Sequence, residues 1–173
     1  MAYVDIVIYP DPVLREKAAP IEKVDGEILK LIDDMVDTMY GAPGTGIGLA
    51  ANQIGKLVRL VVIDLRAPEY KHGLLALINP EIVAASGEMT CQEGCLSLPD
   101  YFSNVKRYEE VTVKALDKNE QPIEINASGL LAVVLQHEID HLDGKLFIDY
   151  LGPISRDLFR RKWKKRLKEA AKV

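Results

Sequence analysis

His137, Glu138 and His141 stand in the run QHEIDHL. If that run is helical, the two imidazoles lie one turn apart on the same face. Imidazoles at that spacing can hold one metal ion, and the glutamate between them can reach water at the ion's side. The chain has only 3 histidines, so two of them bracketing a glutamate is a specific signal. The bland alternative is a solvated polar helix face. Its neighbours oppose that reading, because Leu130, Leu131, Val133, Val134 and Leu135 make the segment apolar nearly all round. Two histidines and a glutamate buried there without partners would be costly.

A catalytic centre of this kind takes a third protein ligand and leaves one position for water. Downstream, the residue three after Gly144 is Phe147, which cannot ligate, and Glu169 lies in a basic tail. The ligand is therefore expected from upstream. Cys95, in Glu93-Gly94-Cys95-Leu96-Ser97, is the best candidate. A thiolate suits Fe(II) or Zn(II), and Gly94 permits a close backbone approach. A buried cysteine is otherwise a small hydrophobe, which is the reading kept for Cys91. His72 reads as solvated.

The run GTGIGLAANQ at 44–53 poses a second question. A dinucleotide fingerprint needs a strand before its glycines and a helix after them. Here a helical pattern precedes and a strand pattern follows. A P-loop fails as well, since Gly55-Lys56 is followed by Leu57. Two readings stay open: a structural turn, or a loop that brings backbone close to a ligand with Gln53 supplying an N–H donor.

These residues need elements to carry them. Ile21, Val24, Ile28, Leu31, Ile32, Met35, Val36 and Met39 recur at helical steps and stop at the breakers of 41–44. The stretches 56–65 and 74–85 are β-branched and read as strands. YEEVTVKALD and QPIEINAS flank Lys118-Asn119-Glu120 as a hairpin. Ser128 is a plausible cap for the metal helix, which runs to a stop at Gly144, and Ser155 for a last helix striped by Phe159, Trp163 and Leu167. The strands cluster between helices instead of alternating with them. That favours an α+β fold: antiparallel β-sheets around a central HExxH helix, with an N-terminal amphipathic helix and a C-terminal helix.

At 173 residues the chain fits one domain, 1–173. It has no run of about 18 apolar residues for a membrane span and no basic-then-apolar leader, so a cytoplasmic protein is the default. Its 2 cysteines suggest no disulfide partner. The net charge of −4 is uneven: from Ser155 onward nine Lys or Arg face two acids, a local +7, so the preceding residues carry −11. The basic face of that tail is either simply solvated, or a dock for ribosomal RNA, or, less favoured, a membrane-surface helix.

GIGLAANQ (46–53), EGCLS (93–97) and QHEIDH (136–141), in that order, resemble the three signature segments of peptide deformylases. NP at 79–80 and GKLFIDYL at 144–151 are similar too, so the likeness covers most of the chain, and the basic C-terminal helix of 155–173 resembles the bacterial type. The resemblance implies that Cys95, His137 and His141 hold one divalent metal ion. Fe(II) is expected in the cell, with Zn(II), Ni(II) or Co(II) as substitutes. It implies Glu138 as general acid/base, with Gln53 and the backbone N–H of Leu96 completing an oxyanion site. The expected reaction removes the formyl group from the N-terminal formyl-methionine of nascent peptides and releases formate. Backbone at Gly48 would pair with the extended substrate. Ile47, Leu130, Val133 and Val134 would wall the methionine pocket, with plain core packing as the alternative for each. The family's frequent entrance arginine is absent from PDYFSNV at 99–105. Asp140 either pairs with Arg107, or orients a ligand histidine, or faces solvent. Two other readings remain: a small metallopeptidase, disfavoured by the lack of a ligand after His141, and a non-catalytic thiol–metal module on the ribosome.

Overall fold

The computed structural model describes residues 3–44 and 46–173. Met1, Ala2 and Thr45, the last within the glycine-rich run, lie outside them. In chain order the elements are α1 (Gly26–Gly41), β1 (Gly48–Ala50), β2 (Leu60–Ile63), β3 (Leu75–Ser86), β4 (Met89–Cys95), β5 (Leu98–Arg107), β6 (Glu110–Leu116), β7 (Pro122–Ser128), α2 (Gly129–Leu142) and α3 (Pro153–Ala170). Five strands form an antiparallel sheet in the order β1-β2-β3-β6-β7, and β4 and β5 pair as a separate antiparallel hairpin. The fold is α+β.

Asp25 sets the start of α1. Its carboxylate accepts from the backbone N–H groups of Glu27 and Ile28, two of the donors that a helix start leaves open. The helix therefore begins after Ile21 and Val24, which the apolar spacing had included. Both still pack on the helix's inner face from the segment before it.

β2 explains how two helices share one sheet. Val61 and Ile63 face the cluster built on α2, while Leu60 and Val62 face the one built on α1. A strand covered on both sides reads as an unbroken apolar run, here LVVI. The α2 cluster joins Leu131, Leu135, Ile139 and Leu142 to Leu77, Val113 and Ile125 of the sheet. The opposite flank of α2 carries the histidines. Its predicted cap is only partly realised, because Ser128 occupies the N-cap position without a side-chain hydrogen bond. Its stop is as expected. Gly144 takes φ +71 and passes so near Arg15 that a Cβ would stand 2.3 Å from the Arg15 carbonyl oxygen.

α3 starts three residues earlier than a cap at Ser155 implies, with Gly152 in the cap position. Pro153 occupies its first turn after Gly152, and a proline's fixed φ is already helical. Phe159 and Trp163 are buried against Tyr9 and Tyr101, and Trp163 Nε1 donates to the Tyr9 carbonyl at 3.0 Å. Leu167 is 42% exposed, so the predicted apolar stripe ends one step early.

Candidate metal centre

Cys95 ends β4 where the hairpin slips register and pairs with Leu98, a geometry that turns its thiol toward α2. His137 and His141 come from successive turns of α2. Their Nε2 atoms lie 3.2 Å apart, and Cys95 Sγ lies 3.4 Å from His141 Nε2. All three donor atoms fall within 4.8 Å of one another. Around a tetrahedral ion with nitrogens at about 2.0–2.1 Å and sulfur at about 2.3 Å, donor atoms stand roughly 3.3–3.6 Å apart. The donor set therefore fits a divalent cation. Among the described residues it is the one such group of three His, Cys, Asp or Glu side chains.

The ring of His137 is aimed from behind. Its Nδ1 lies 2.7 Å from Glu93 Oε1, so a proton there leaves Nε2 as the ligating atom. Glu93 is in turn held by a two-pronged contact from buried Arg107, Nε–Oε2 at 2.7 Å and Nη2–Oε1 at 2.9 Å. Arg107 Nη1 also reaches Asp140 Oδ2 at 2.7 Å, and the Tyr150 hydroxyl donates to that same oxygen at 2.7 Å. Burial alone would push the Glu93 carboxyl up, but Arg107 and His137 hold it below the usual carboxylate range. Burial would likewise lower His137, yet hydrogen bonds to Cys95 and Glu93 raise it well above an ordinary histidine. His141 moves the other way, lowered by burial and by the His137 charge. The pair thus resists carrying two protons.

Of the roles open to Asp140, the structure displays the pairing with Arg107. The carboxylate that meets a ligand histidine is Glu93, which had no role in the sequence reading. A signal for it existed, since Glu93 and Cys95 are two apart on one strand and so share a face.

Glu138 is buried, and that burial pushes its carboxyl up to about 7. Its Oε2 has no hydrogen-bond partner among the described residues. Its Oε1 sits in the space left by Gly48, where a Cβ would come within 2.5 Å of it. Gln53, in a tight turn at Ala51–Ile54 after β1, is anchored by Oε1, which accepts from Ala50 N at 2.9 Å. That leaves its amide N–H groups directed at Cys95 Sγ, 3.3 Å away, and Ser97 Oγ, 3.1 Å away. The glycine-rich run thus leads into a donor arm beside the thiol.

These groups open on a cavity of ≈ 920 Å³. Ile47, Gly48, Leu96, Leu130, Val133 and Val134 all line it, as do Gln53, Cys95, His137 and Glu138. Val133 and Val134 are buried, whereas Leu130 is 39% exposed and edges the cavity. Val134 also belongs to the sheet-facing core, so for that residue both sequence readings hold. Asp100, from the stretch without an entrance arginine, lines the cavity and pairs with Arg166 at 3.0 Å. Half-buried Cys91 lines it too, its thiol pushed up chiefly by burial. His72 is exposed on a separate loop.

A model of the family described as polypeptide deformylase matches residues 3–157. A peptide deformylase of Syntrophobacter fumaroxidans is 61% identical over 98% of this chain and 99% of its own. The crystal structure of a peptide deformylase from Legionella pneumophila superposes with a TM-score of 0.89 at 48% identity, covering 99% of each chain. That of a peptide deformylase from Ehrlichia chaffeensis in complex with actinonin gives 0.86 at 40% identity, over 96% of this chain and 98% of that one.

Proposed function

The chain belongs to the polypeptide deformylase family, and on that premise we propose which of its residues carry the family's reaction. It is a metal-dependent hydrolase that removes the N-formyl group from formyl-methionyl peptides. The observation that carries the residue assignment is the convergence of Cys95, His137 and His141 beside a partnerless Glu138 oxygen, facing a large cavity.

In this reading Cys95, His137 and His141 hold one divalent ion. Fe(II) suits a thiolate with two imidazoles, and Zn(II), Ni(II) or Co(II) accept the same donors. Such an ion supplies Lewis acidity, making water easier to deprotonate and a carbonyl easier to attack. Glu138 Oε2 takes a proton from the water that adds to the formyl carbon. It then returns that proton to the departing amine nitrogen as the C–N bond breaks, leaving formate and a free N-terminus. A carboxyl poised near 7 can serve in both directions near neutral pH. Gln53 Nε2 and the Leu96 N–H stabilise the oxygen on which negative charge develops. β1 lies at the edge of its sheet, so Gly48 can pair with an extended peptide while the methionine side chain lies among Ile47, Leu130, Val133 and Val134.

Residues 1–173 act as one domain in this reading, in the cytoplasm where nascent chains emerge, with the basic face of α3 docking on ribosomal RNA. The discriminating experiment offers a formyl-methionyl peptide and an unblocked peptide to the same metal-loaded sample. Formate from the first and no cleavage of the second is expected. Cleavage of the second points to a peptidase, and neither product to a non-catalytic thiol–metal module.

A further inference from the structure

One wall of the cavity is formed by Gly46, Ile47 and Gly48, where the chain enters β1. Its outer side is held by side chains that the reaction does not use. Arg66 lies with its guanidinium over the Tyr40 ring, 4.6 Å from the centroid, and its Nη2 donates to the Gly46 carbonyl at 2.7 Å. The Tyr40 hydroxyl donates to Asp64 Oδ2, and Asp64 Oδ1 accepts from the Arg66 backbone N–H at 2.8 Å. The Asp64 backbone N–H donates to the Ile47 carbonyl at 2.9 Å. The two carbonyls immediately before Gly48 are thus fastened from behind by one short stretch of chain.

Several features separate this arrangement from an incidental surface contact. Arg66 takes φ +54, an uncommon backbone for a residue with a side chain, which persists where surrounding bonds over-determine it. Its flat guanidinium engages a ring face and a carbonyl together, which an ammonium cannot reproduce. The last turn of α1 has no basic residue of its own, so Arg66 also brings a cation to the negative end of that helix. Gly46 has little room to move: a Cβ there would stand 2.7 Å from the Met39 carbonyl oxygen and 3.3 Å from Leu96 Cδ1. Gly46 is thus confined between the end of α1 and the Leu96 side chain.

We propose that Arg66, with Tyr40 and Asp64, is a positioning clamp that holds the Gly46–Gly48 backbone in the register required to pair with the substrate peptide. The proposal rests on the reading of Gly48 as the pairing edge. Arg66 touches neither substrate nor the reacting atoms, so its contribution is to binding that is equal in the ground and transition states. Its loss raises KM and leaves kcat.

The test compares the metal-loaded protein with Arg66→Ala and Arg66→Lys. For Arg66→Ala, KM for a formyl-methionyl tripeptide rises roughly 3–10-fold with kcat within about twofold. Metal content matches the parent, and amide exchange quickens at 46–48 while α2 is unchanged. Arg66→Lys keeps the charge but not the planar face, and recovers only part of the KM. Unaltered KM, unaltered exchange at 46–48, or loss of metal from the variant overturns the clamp. If the parent protein releases no formate while exchange at 46–48 still quickens in Arg66→Ala, the deformylase assignment of the site fails and the clamp stands.

Discussion

The two oxygens of Glu138 have different neighbours: Oε1 is tucked under Gly48, and Oε2 is buried without a hydrogen-bond partner among the described residues. Gly48→Ala therefore puts a methyl group where the carboxylate lies, and a displacement near 1 Å at a reacting group can lower turnover about 10²-fold. Metal content should be unchanged, which elemental analysis beside steady-state kinetics will check. Gln53→Ala removes an amide donor and should lower kcat by about 10²–10³ with the ion retained. Unchanged turnover in that variant would remove Gln53 from the oxyanion site. The imidazole pair was legible because i and i+4 on a helix share a face whatever surrounds them. Cys95 was reached by eliminating downstream ligands. Glu93 was not, because seeing it required knowing that residues 89–95 are a strand.

Among the elements, the β4–β5 hairpin does the most for the site and was the least visible in the sequence. Its residues alternate between exposed and half-buried positions around Gly94 and Pro99, so no run of β-branched residues marks it. It nonetheless delivers Cys95, Glu93 and Arg107 to one side of α2. Replacing Arg107 with Met strands the buried Glu93 charge, which should destabilise the protein by about 3–5 kcal/mol and loosen metal retention by releasing the His137 ring. Thermal melts and chelator competition read the two effects separately. Because the Glu93 carboxyl is held low in the folded state, its stabilising share is complete above the unfolded carboxylate range. It fades as pH falls through the lower folded value. Stability measured in the parent protein should accordingly decline on acidification, and less steeply in Arg107→Met. The starts of α1 and α3 were misplaced for a local reason: Asp25 and Pro153 each set the first turn more firmly than apolar spacing or a serine does.

At the scale of the whole molecule, the charge asymmetry read from the sequence becomes a shape. α3 is fixed to the body through Phe159 and Trp163, and its outer face presents exposed Arg160, Lys164 and Lys165. None of those three makes an ion pair among the described residues. Neutralising them should leave stability within about 0.5 kcal/mol of the parent, since exposed positions contribute little. Co-sedimentation with ribosomes should weaken with rising salt in the parent and be lost in the neutralised variant. Equal co-sedimentation of both proteins would return α3 to an ordinary solvated face. The overall α+β arrangement was legible because strands cluster between helices in the chain. The sharing of β2 between two cores was not, since a continuous apolar run does not say what covers each side.

That Cys95, His137 and His141 together hold the ion is tested by X-ray absorption at the metal edge of protein purified without oxygen. One sulfur at about 2.3 Å and two imidazole nitrogens at about 2.0–2.1 Å are expected, with the sulfur lost in Cys95→Ser. A bound ion with no sulfur neighbour in the parent protein, or a sulfur that persists in Cys95→Ser, would contradict it.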